Sequence, residues 1–376
     1  MAGRPDRDAL LVLAHLEGLT PRDLHELAWR EGTARGCLRA ARDGSVSDLD
    51  RRRASSIQPA AVRATLSRCA ARLIAPGDDE YPEALLDLTD PPGWLFVRGR
   101  LSHGGSGMAV SVVGARNCSP YGTEVSELMG SGLAAAGVAV VSGAARGIDG
   151  AAHRGALAVG GPTVAVLGSG IDVPYPRGHR RMLERIAACG AVVSEYPPGL
   201  RPHPRRFPAR NRIVAALARL IVVVEGASGS GSLITAEFAQ DLHRDLLAVP
   251  GPVTSELSAA PHELIRDGAG LVRDAGDVLE ALGLAPRRTS RRREASEGVT
   301  ASAMGGSEGS PSPENLPQPE RLVLESLGGT GQLIEQVAHR SGLSTSAALR
   351  ALVALELRGL VVATGGRYRR PAEGSR

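Results

Sequence analysis

Arginine dominates the residues of this sequence that are suited to contacting a ligand. The stretch RPHPRRFPARNRIVAAL, residues 201–217, has five arginines within twelve residues and no acid among them. Its prolines favour extended chain, and apolar spacing then predicts a helix from about residue 208, with Arg210, Asn211 and Arg212 in its first turn. A helix N-terminus already attracts anions, so arginines there destabilise the fold unless an anion is bound. The stretch favours a polyanion site, with a solvated surface patch as the alternative.

Three further loops carry residues suited to binding phosphate. VVGARNCSPYG contains Arg116, SGAARGIDGAAHRGAL contains Gly143 and Arg146, and VEGASGSGSLITAEFA contains Ser230 and Ser232. Small residues let backbone N–H groups approach a phosphate closely. None of these loops has the spacing of a dinucleotide fingerprint or of a Walker A motif. Each loop alone also fits an ordinary turn, but the four together favour a phosphate site.

Residues that would break bonds are not arranged for catalysis in the sequence. Asp149 is expected to cap a helix, and His153 has no acid partner nearby in sequence. The four cysteines are far apart and form no CxxC pair, which argues against a metal cluster or a disulfide framework. We therefore predict a binding protein with no catalytic residue, no metal and no cofactor.

The elements that must position these loops follow an α/β pattern over residues 73–283. Short Val-rich runs such as VAVVSG and TVAVLG alternate with helical stretches. Repeated βαβ units predict a doubly wound, mainly parallel sheet with helices on both faces. Ligands of such sheets bind outside the carboxyl ends of the strands, so all four loops are expected at one edge.

The remainder of the chain is expected to form smaller parts. Residues 1–72 have helical spacing and fit a helix-hairpin-helix or SAM-like module, or a plain helical cap on the next domain. Residues 284–317 are rich in Arg, Ser, Gly and Pro and predict a disordered linker. Residues 318–376 follow the order helix, turn, helix and hairpin of a winged helix. Its second helix is poor in basic residues, which favours a protein contact at least as much as DNA recognition.

Composition limits the class of protein. The 376 residues are 43% hydrophobic and only 3% aromatic, with a formal net charge of +4. All Lys-or-Arg positions are arginine, so each basic contact to phosphate is a planar, bidentate fork. No run approaches 18 apolar residues and the N-terminus has no apolar signal region. A cytoplasmic protein without a membrane segment is expected.

In their order along the chain, several motifs resemble the DNA processing protein A family (DprA, also called Smf). They are VVGARNCSPYG, SGAARGIDGAAHRGAL, AVLGSGIDVPYPRGH, SEYPPG, FPARNRIVAAL, GSLITAEFA and LAVPG. The resemblance implies an extended Rossmann fold that binds single-stranded DNA, protects incoming strands and loads the recombinase RecA. It also implies a role in DNA recombination and natural transformation (competence), and a homodimer.

The resemblance also implies particular DNA contacts. Carried over by position, the side-chain contacts are Arg116, Arg146, Phe207, Arg210, Asn211 and Arg212. Gly143, Ser230 and Ser232 would offer backbone or hydroxyl groups, and Arg205 and Arg206 would flank them as phosphate contacts. Phe207 is a rare aromatic that would stack a base.

The sequence departs from the family pattern at three places. Gly229 and Ser230 stand where the family usually has an arginine, Ala144 replaces a usual leucine, and His262 replaces an expected asparagine. A different class remains as the alternative: a Rossmann-fold nucleotide phosphoribohydrolase of the lonely-guy kind. Such enzymes have a Gly-rich loop followed by Thr and Glu, comparable to Thr235 and Glu237.

Overall fold

The chain folds into two compact units, Met1–Ser290 and Arg291–Arg376. The computed structural model describes residues 6–19, 21–101, 109–284, 316–327, 332–357, 360–364 and 367–370. Nearly all of the predicted linker, residues 284–317, lies outside the described residues, as does the predicted wing turn at Gly365–Gly366. The predicted domain boundaries therefore stay predictions.

In the described part of the chain, five helices precede the sheet. They are α1 (Arg7–Leu13), α2 (Pro21–Glu31), α3 (Ala34–Asp43), α4 (Asp48–Ser56) and α5 (Pro59–Arg68). Side chains start two of them: Asp6 accepts hydrogen bonds from the first turn of α1, and Thr33 does so for α3. Buried leucines of α1 share one hydrophobic cluster with Leu183 and Ile186 beneath the sheet, so these helices pack on the sheet domain through a continuous core.

The predicted α/β fold is confirmed by a nine-stranded sheet. Its strands are β1 (Ala71–Ile74), β2 (Leu95–Gly99), β3 (Ala109–Val113), β4 (Ala139–Ser142), β5 (Thr163–Leu167), β6 (Ala191–Ser194), β7 (Leu220–Val223), β8 (Asp245–Ala248) and β9 (Gly270–Leu271). Their order is β1-β2-β6-β5-β4-β3-β7-β8-β9. Pairing is parallel from β6 to β9, and antiparallel between β1 and β2 and between β2 and β6.

Helices cover both faces of this sheet. They are α6 (Pro120–Ala135), α7 (Ile148–Ala158), α8 (Arg180–Cys189), α9 (Arg206–Ala216), α10 (Gly231–Asp241), α11 (Ala259–Arg266) and α12 (Ala275–Ala281). Successive residues of one strand point to opposite faces of the sheet and so enter different cores, as a period of two requires. Val110 of β3 packs with Met129 of α6, whereas Val113 packs with Ile213 of α9.

The chain reverses its direction of travel across the sheet at β3. From β3 it proceeds through β4 and β5 to β6, and then returns to place β7 on the other side of β3. The loops that follow β3 and β7 thus leave the sheet side by side, at the position where open α/β sheets bind ligands.

The second unit is a winged helix, as predicted. It contains α13 (Gln318–Ser326), β10 (Gln332–Leu333), α14 (Ile334–Ser341), α15 (Thr345–Leu357), β11 (Val362–Thr364) and β12 (Arg367–Arg369). The strands form an antiparallel sheet in the order β10-β12-β11. Val323, Val337 and Leu352 are fully buried in its core. In the described parts of both units, no helix has the length and apolar character needed to cross a membrane.

Candidate nucleic-acid interface

Two adjoining cavities lie at the carboxyl ends of β3, β4, β5 and β7. The outer cavity has a volume of about 770 Å³ and the inner cavity about 390 Å³. They share the wall residues Arg116, Ala145 and Phe207. The loops that the sequence predicts to carry a phosphate site therefore meet at one edge of the sheet.

Arg116 is presented by a loop that the sheet holds firmly. Buried Glu225, just after β7, accepts hydrogen bonds from the N–H of Ser119 at 2.9 Å and from its hydroxyl at 2.5 Å. The N–H of Ala115 also donates to the carbonyl of Glu225 at 2.7 Å. The Arg116 side chain is exposed, and its guanidinium carbon lies 4.9 Å from the centre of the Phe207 ring. This cation–π contact orients the guanidinium across the mouth of the cavities.

Aromatic rings form part of the same wall. Phe207, in the first turn of α9, lies 5.2 Å from Tyr175 between ring centres, at an angle of 35°. A Cβ at Gly168, the residue after β5, would lie only 2.9 Å from the Phe207 ring, so any residue other than glycine here would displace the ring. Tyr175 is 40% exposed, and its ring is therefore accessible to a base.

Positive charge surrounds the outer cavity. Four exposed arginines line it, from four different loops: Arg116, Arg146, Arg177 and Arg201. Among the described residues, its lining includes no carboxylate. Guanidinium groups on a concave surface concentrate positive potential, which attracts a polyanion and raises its rate of association.

The inner cavity is built over a buried arginine. Arg210 is only 3% exposed, and its Nη1 donates to the carbonyl of Gly143 at 2.6 Å and to the carbonyl of Val166. Its Nε has no hydrogen-bond partner among the described residues. Burial lowers the pKa of Arg210 to about 10, although the nearby carboxylate of Asp149 opposes this shift. Burial in turn raises the pKa of Asp149, against the effect of Arg210.

Hydroxyl and amide groups complete the inner cavity. The hydroxyls of Ser230 and Ser232 lie 2.6 Å apart, at the start of α10. Ser230 is the N-cap residue, yet its side chain makes no capping hydrogen bond, so the first turn of α10 keeps N–H groups for an anion. Asn211 donates from Nδ2 to the carbonyl of Gly231 at 3.3 Å, which joins α9 to this turn.

Arg212, which the sequence predicts as a DNA contact, is buried and paired with two carboxylates. It is 2% exposed, and its guanidinium pairs with Glu195 at 2.8 Å and with Asp90 at 3.1 Å. Burial disfavours its charge, but the two carboxylates outweigh burial and raise its pKa. Helix α9 begins at Arg206, so Arg210 and Arg212 lie in its second turn and point to nearly opposite sides. Of the two, only Arg210 lines the inner cavity, and neither lines the outer one.

Two other predicted contacts lie outside both cavities. Arg206 donates to the carbonyl of Arg201 at 2.7 Å, approaches Glu17 at 3.5 Å, and lies 5.5 Å from the ring centre of Tyr196. Arg205 is exposed just before α9 but lines neither cavity. The remaining predicted residues line one or both cavities: Arg116, Gly143, Arg146, Phe207, Arg210, Asn211, Ser230 and Ser232.

Sequence reasoning missed Tyr175 and Arg177, which the loop after β5 brings into the outer cavity. The sequence contains a signal for these two residues. The segment PYPRGH lies in the loop after the strand TVAVL, just as the other three loops lie after their strands. Arg201 lies in the arginine-rich stretch but was not chosen as a contact. All three add charge or aromatic surface to the outer cavity.

The residues with the potential for catalysis are His153, Thr235 and Glu237. His153 is fully buried, its Nδ1 lies 2.7 Å from the hydroxyl of Thr163, and burial lowers its pKa to about 3. Thr235 lines the inner cavity, whereas Glu237 is exposed and lies outside the lining of both. The two residues named for the phosphoribohydrolase alternative are therefore not brought together in the lining of either cavity. The described residues contain no cluster of His, Cys, Asp or Glu suited to a metal ion.

Fold and site together define a Rossmann-like protein with an arginine-rich cleft at the topological switch point, followed by a winged helix. The chain belongs to the DNA recombination-mediator protein A family, whose sequence profile matches residues 72–283. The profile of the DprA winged helix domain matches residues 307–367. The resemblance to the DprA/Smf family is thereby confirmed.

Known relatives extend over most of the chain. It is 42% identical over 320 residues to a DprA protein of Mycobacterium tuberculosis, covering 81% of this chain and 78% of the relative. The X-ray structure of DprA from Streptococcus pneumoniae is similar with a TM-score of 0.57 and 35% identity, covering 74% of this chain and 94% of that one. A structure of Helicobacter pylori DprA, described for its single-stranded DNA binding mode, is similar with a TM-score of 0.52 and 27% identity. The match covers 56% of this chain and 95% of that one.

Proposed function

We propose that this protein binds single-stranded DNA in the outer cavity and acts in DNA processing. The observation that carries the proposal is the outer cavity itself, where four exposed arginines surround two accessible aromatic rings. Guanidinium groups neutralise backbone phosphates, while aromatic rings stack on bases of any sequence. The single-stranded DNA binding of the Helicobacter pylori relative supports the same function for this chain.

The chemistry of the cavity favours single strands over duplex. The ring of Phe207 lies within the wall shared by the two cavities, beside Tyr175 and under Arg116. A base stacks on these rings only if it has left its own stack, and that costs a duplex several kcal/mol, of the order known for base flipping. A single strand makes the same contact without that cost.

Further roles of the protein follow from its family. We infer that it protects incoming strands, loads RecA onto them and contributes to recombination and natural transformation. We also infer a cytoplasmic homodimer without a catalytic step. The winged helix, with exposed Leu349 and Val353 on α15, is suited to a protein contact.

Binding to labelled strands tests the central proposal. We expect a single strand to bind far more tightly than a duplex of equal length in a salt titration. Arg116→Ala and Arg146→Ala should each weaken binding about tenfold, because each removes charge-assisted contacts to phosphate. Arg266→Ala serves as the matched control, since Arg266 is exposed on α11 and lines neither cavity. Equal affinity for both DNA forms, or wild-type affinity in both cavity variants, would contradict the proposal.

Adding RecA to the preformed complex tests the loading role separately. RecA should assemble faster on strands that carry the protein than on bare strands at the same salt concentration. Slower or unchanged assembly would contradict loading while leaving strand binding intact.

A further inference from the structure

We propose that the helices before the sheet help to set the affinity for single strands, because Glu17 and Arg206 hold Arg201 in place at the outer cavity. Arg206 then acts as a positioning residue, which affects the strand through Arg201 rather than through its own contact with phosphate. The inference rests on the proposed function. It assigns a role in DNA binding to α1–α5, from which no described residue lines the outer or the inner cavity.

The first argument concerns how few contacts fix the backbone at Arg201. Its exposed side chain lines the outer cavity, and its carbonyl accepts a hydrogen bond from Nη1 of Arg206 at 2.7 Å. In the described part of the chain, the Arg201 backbone has no other hydrogen bond, although the preceding carbonyl, that of Leu200, accepts one from the loop after β5 at 2.8 Å. Pro202 and Pro204 follow, and neither has an N–H group to donate. The side chain of Arg206 is therefore what fixes the Arg201 carbonyl.

The second argument is that Arg206 is itself oriented by neighbours from two parts of the fold. Its guanidinium carbon lies 5.5 Å from the ring centre of Tyr196, and its Nη2 lies 3.5 Å from Oε2 of Glu17. Glu17 is in the loop after α1, and its Oε1 lies 3.1 Å from Nη1 of Arg53 on α4. A chain of ion pairs thus leads from α4 to the guanidinium that donates to Arg201. Loss of Glu17 frees that guanidinium to leave this orientation.

The third argument is that Arg206 faces a different cavity from the strand. This third cavity, of about 210 Å³, lies between the N-terminal helices and the sheet domain, and its lining includes Leu16, Leu24 and Arg206. Among its described lining residues, three carboxylates outnumber two guanidinium groups: Glu17, Asp90 and Glu195 against Arg206 and Arg212. Such a lining disfavours phosphate, whereas four arginines line the outer cavity. Arg206 is therefore placed to orient Arg201 and not to bind the strand.

A double-mutant cycle between Arg206 and Arg201 tests the positioning role. Arg206→Met should weaken binding of a labelled single strand several-fold, but by no more than Arg201→Ala does, about tenfold. The double variant should bind like Arg201→Ala alone, because Arg206 then has no arginine left to position. Combined with Arg146→Ala, from another loop of the cavity, Arg206→Met should instead have its full effect. Full additivity of Arg206→Met with Arg201→Ala would overturn the positioning role, since Arg206 would then act on the strand independently.

Glu17→Gln separates positioning from long-range electrostatics. Removal of a negative charge by itself favours DNA slightly, whereas a displaced Arg206 should weaken binding about two- to fivefold, the range for a partly exposed ion pair. The two effects therefore have opposite signs. Glu124→Gln is the matched control, because Glu124 is an exposed acid of α6 that lines neither the outer nor the inner cavity. Unchanged or tighter binding by Glu17→Gln would overturn the role of the N-terminal helices.

Hydrogen exchange without DNA supplies a readout that does not depend on binding. Amides between residues 201 and 206 should exchange faster in Arg206→Met and in Glu17→Gln than in the wild type, because the segment loses the contact that fixes it. Arg266→Met and Glu124→Gln should leave this segment unchanged. Thermal unfolding checks that each variant is folded.

The outcomes separate this inference from the proposed function. If the wild type binds single strands and Arg146→Ala weakens that binding, but exchange between residues 201 and 206 is unchanged in both variants, the positioning role is overturned and the proposed function stands. If the wild type binds no strand, the proposed function fails, and the role of Glu17 and Arg206 in binding fails with it.

Discussion

Two arginines that are two positions apart in α9 have opposite roles. Arg210 forms the floor of the inner cavity, with Nη1 bonded to Gly143 and Val166. Arg212 is held between Glu195 and Asp90 on the other side of the helix. Neither is a surface charge, although the sequence around them reads as a uniform basic run. Because their partners differ, we expect the replacement of one or the other to have different effects on stability and on binding.

Replacing Arg212 should destabilise the fold far more than replacing an exposed cavity arginine. Arg212→Met keeps much of the side-chain volume but leaves two carboxylates without their cation. One of them, Glu195, has a side chain that is only 12% exposed. We expect the free energy of unfolding to fall by about 3–5 kcal/mol. Arg116→Met should change it by about 0.5 kcal/mol or less, because Arg116 is exposed. Urea denaturation measures both.

A second substitution separates charge from packing at this position. In the Arg212→Met background, Glu195→Gln removes one uncompensated charge and should recover part of the lost stability. If Arg212→Met is as stable as the wild type, the ion pairs contribute nothing and the burial of Arg212 has another cause.

At the scale of elements, sequence patterns were sufficient for the fold. Alternating Val-rich strands and capped helices define the sheet, because periodicity and caps are local properties. The direction in which each arginine of α9 points could not be predicted from the sequence in the same way. A helix start at 208 rather than Arg206 puts Arg210 and Arg212 in the first turn, where both would face a ligand. Partners such as Glu195 and Glu225 come from distant strands, and only the assembled sheet brings them to these loops.

The contact between the end of β4 and α9 leads to a prediction about packing. A Cβ at Gly143 would lie 2.4 Å from both Nη1 and Nη2 of Arg210. Gly143→Ala should therefore displace the guanidinium, lower the stability by about 1–3 kcal/mol and weaken binding of single strands, for which Gly143 and Arg210 are predicted contacts. Gly93→Ala is the control, since nothing lies within 4 Å of its Cβ and its backbone is not left-handed. Thermal unfolding and binding curves that are identical for the two variants would contradict this account.

At the scale of the whole molecule, the distribution of charge matters more than its total. The formal net charge is only +4, because 44 basic residues are nearly balanced by 40 acidic ones. The outer cavity is not balanced in this way, since four arginines and no carboxylate line it in the part of the chain that the structure describes. A polyanion should therefore bind at this cleft rather than over the general surface.

Salt dependence measures how many of these arginines contact phosphate. If all four contact the strand, the logarithm of the binding constant should fall with the logarithm of salt concentration with a slope of about −3, the value for four phosphates of a single strand. Arg146→Ala and Arg177→Ala should each reduce the steepness by about 0.7, because each variant releases one fewer counterion. Arg266→Ala, outside the cavity, should leave the slope unchanged. A slope near zero would mean that the cleft does not bind DNA through its arginines, and would place the affinity in stacking on Tyr175 and Phe207 instead. A steep slope that is equal in all variants would place the phosphate contacts outside this cleft.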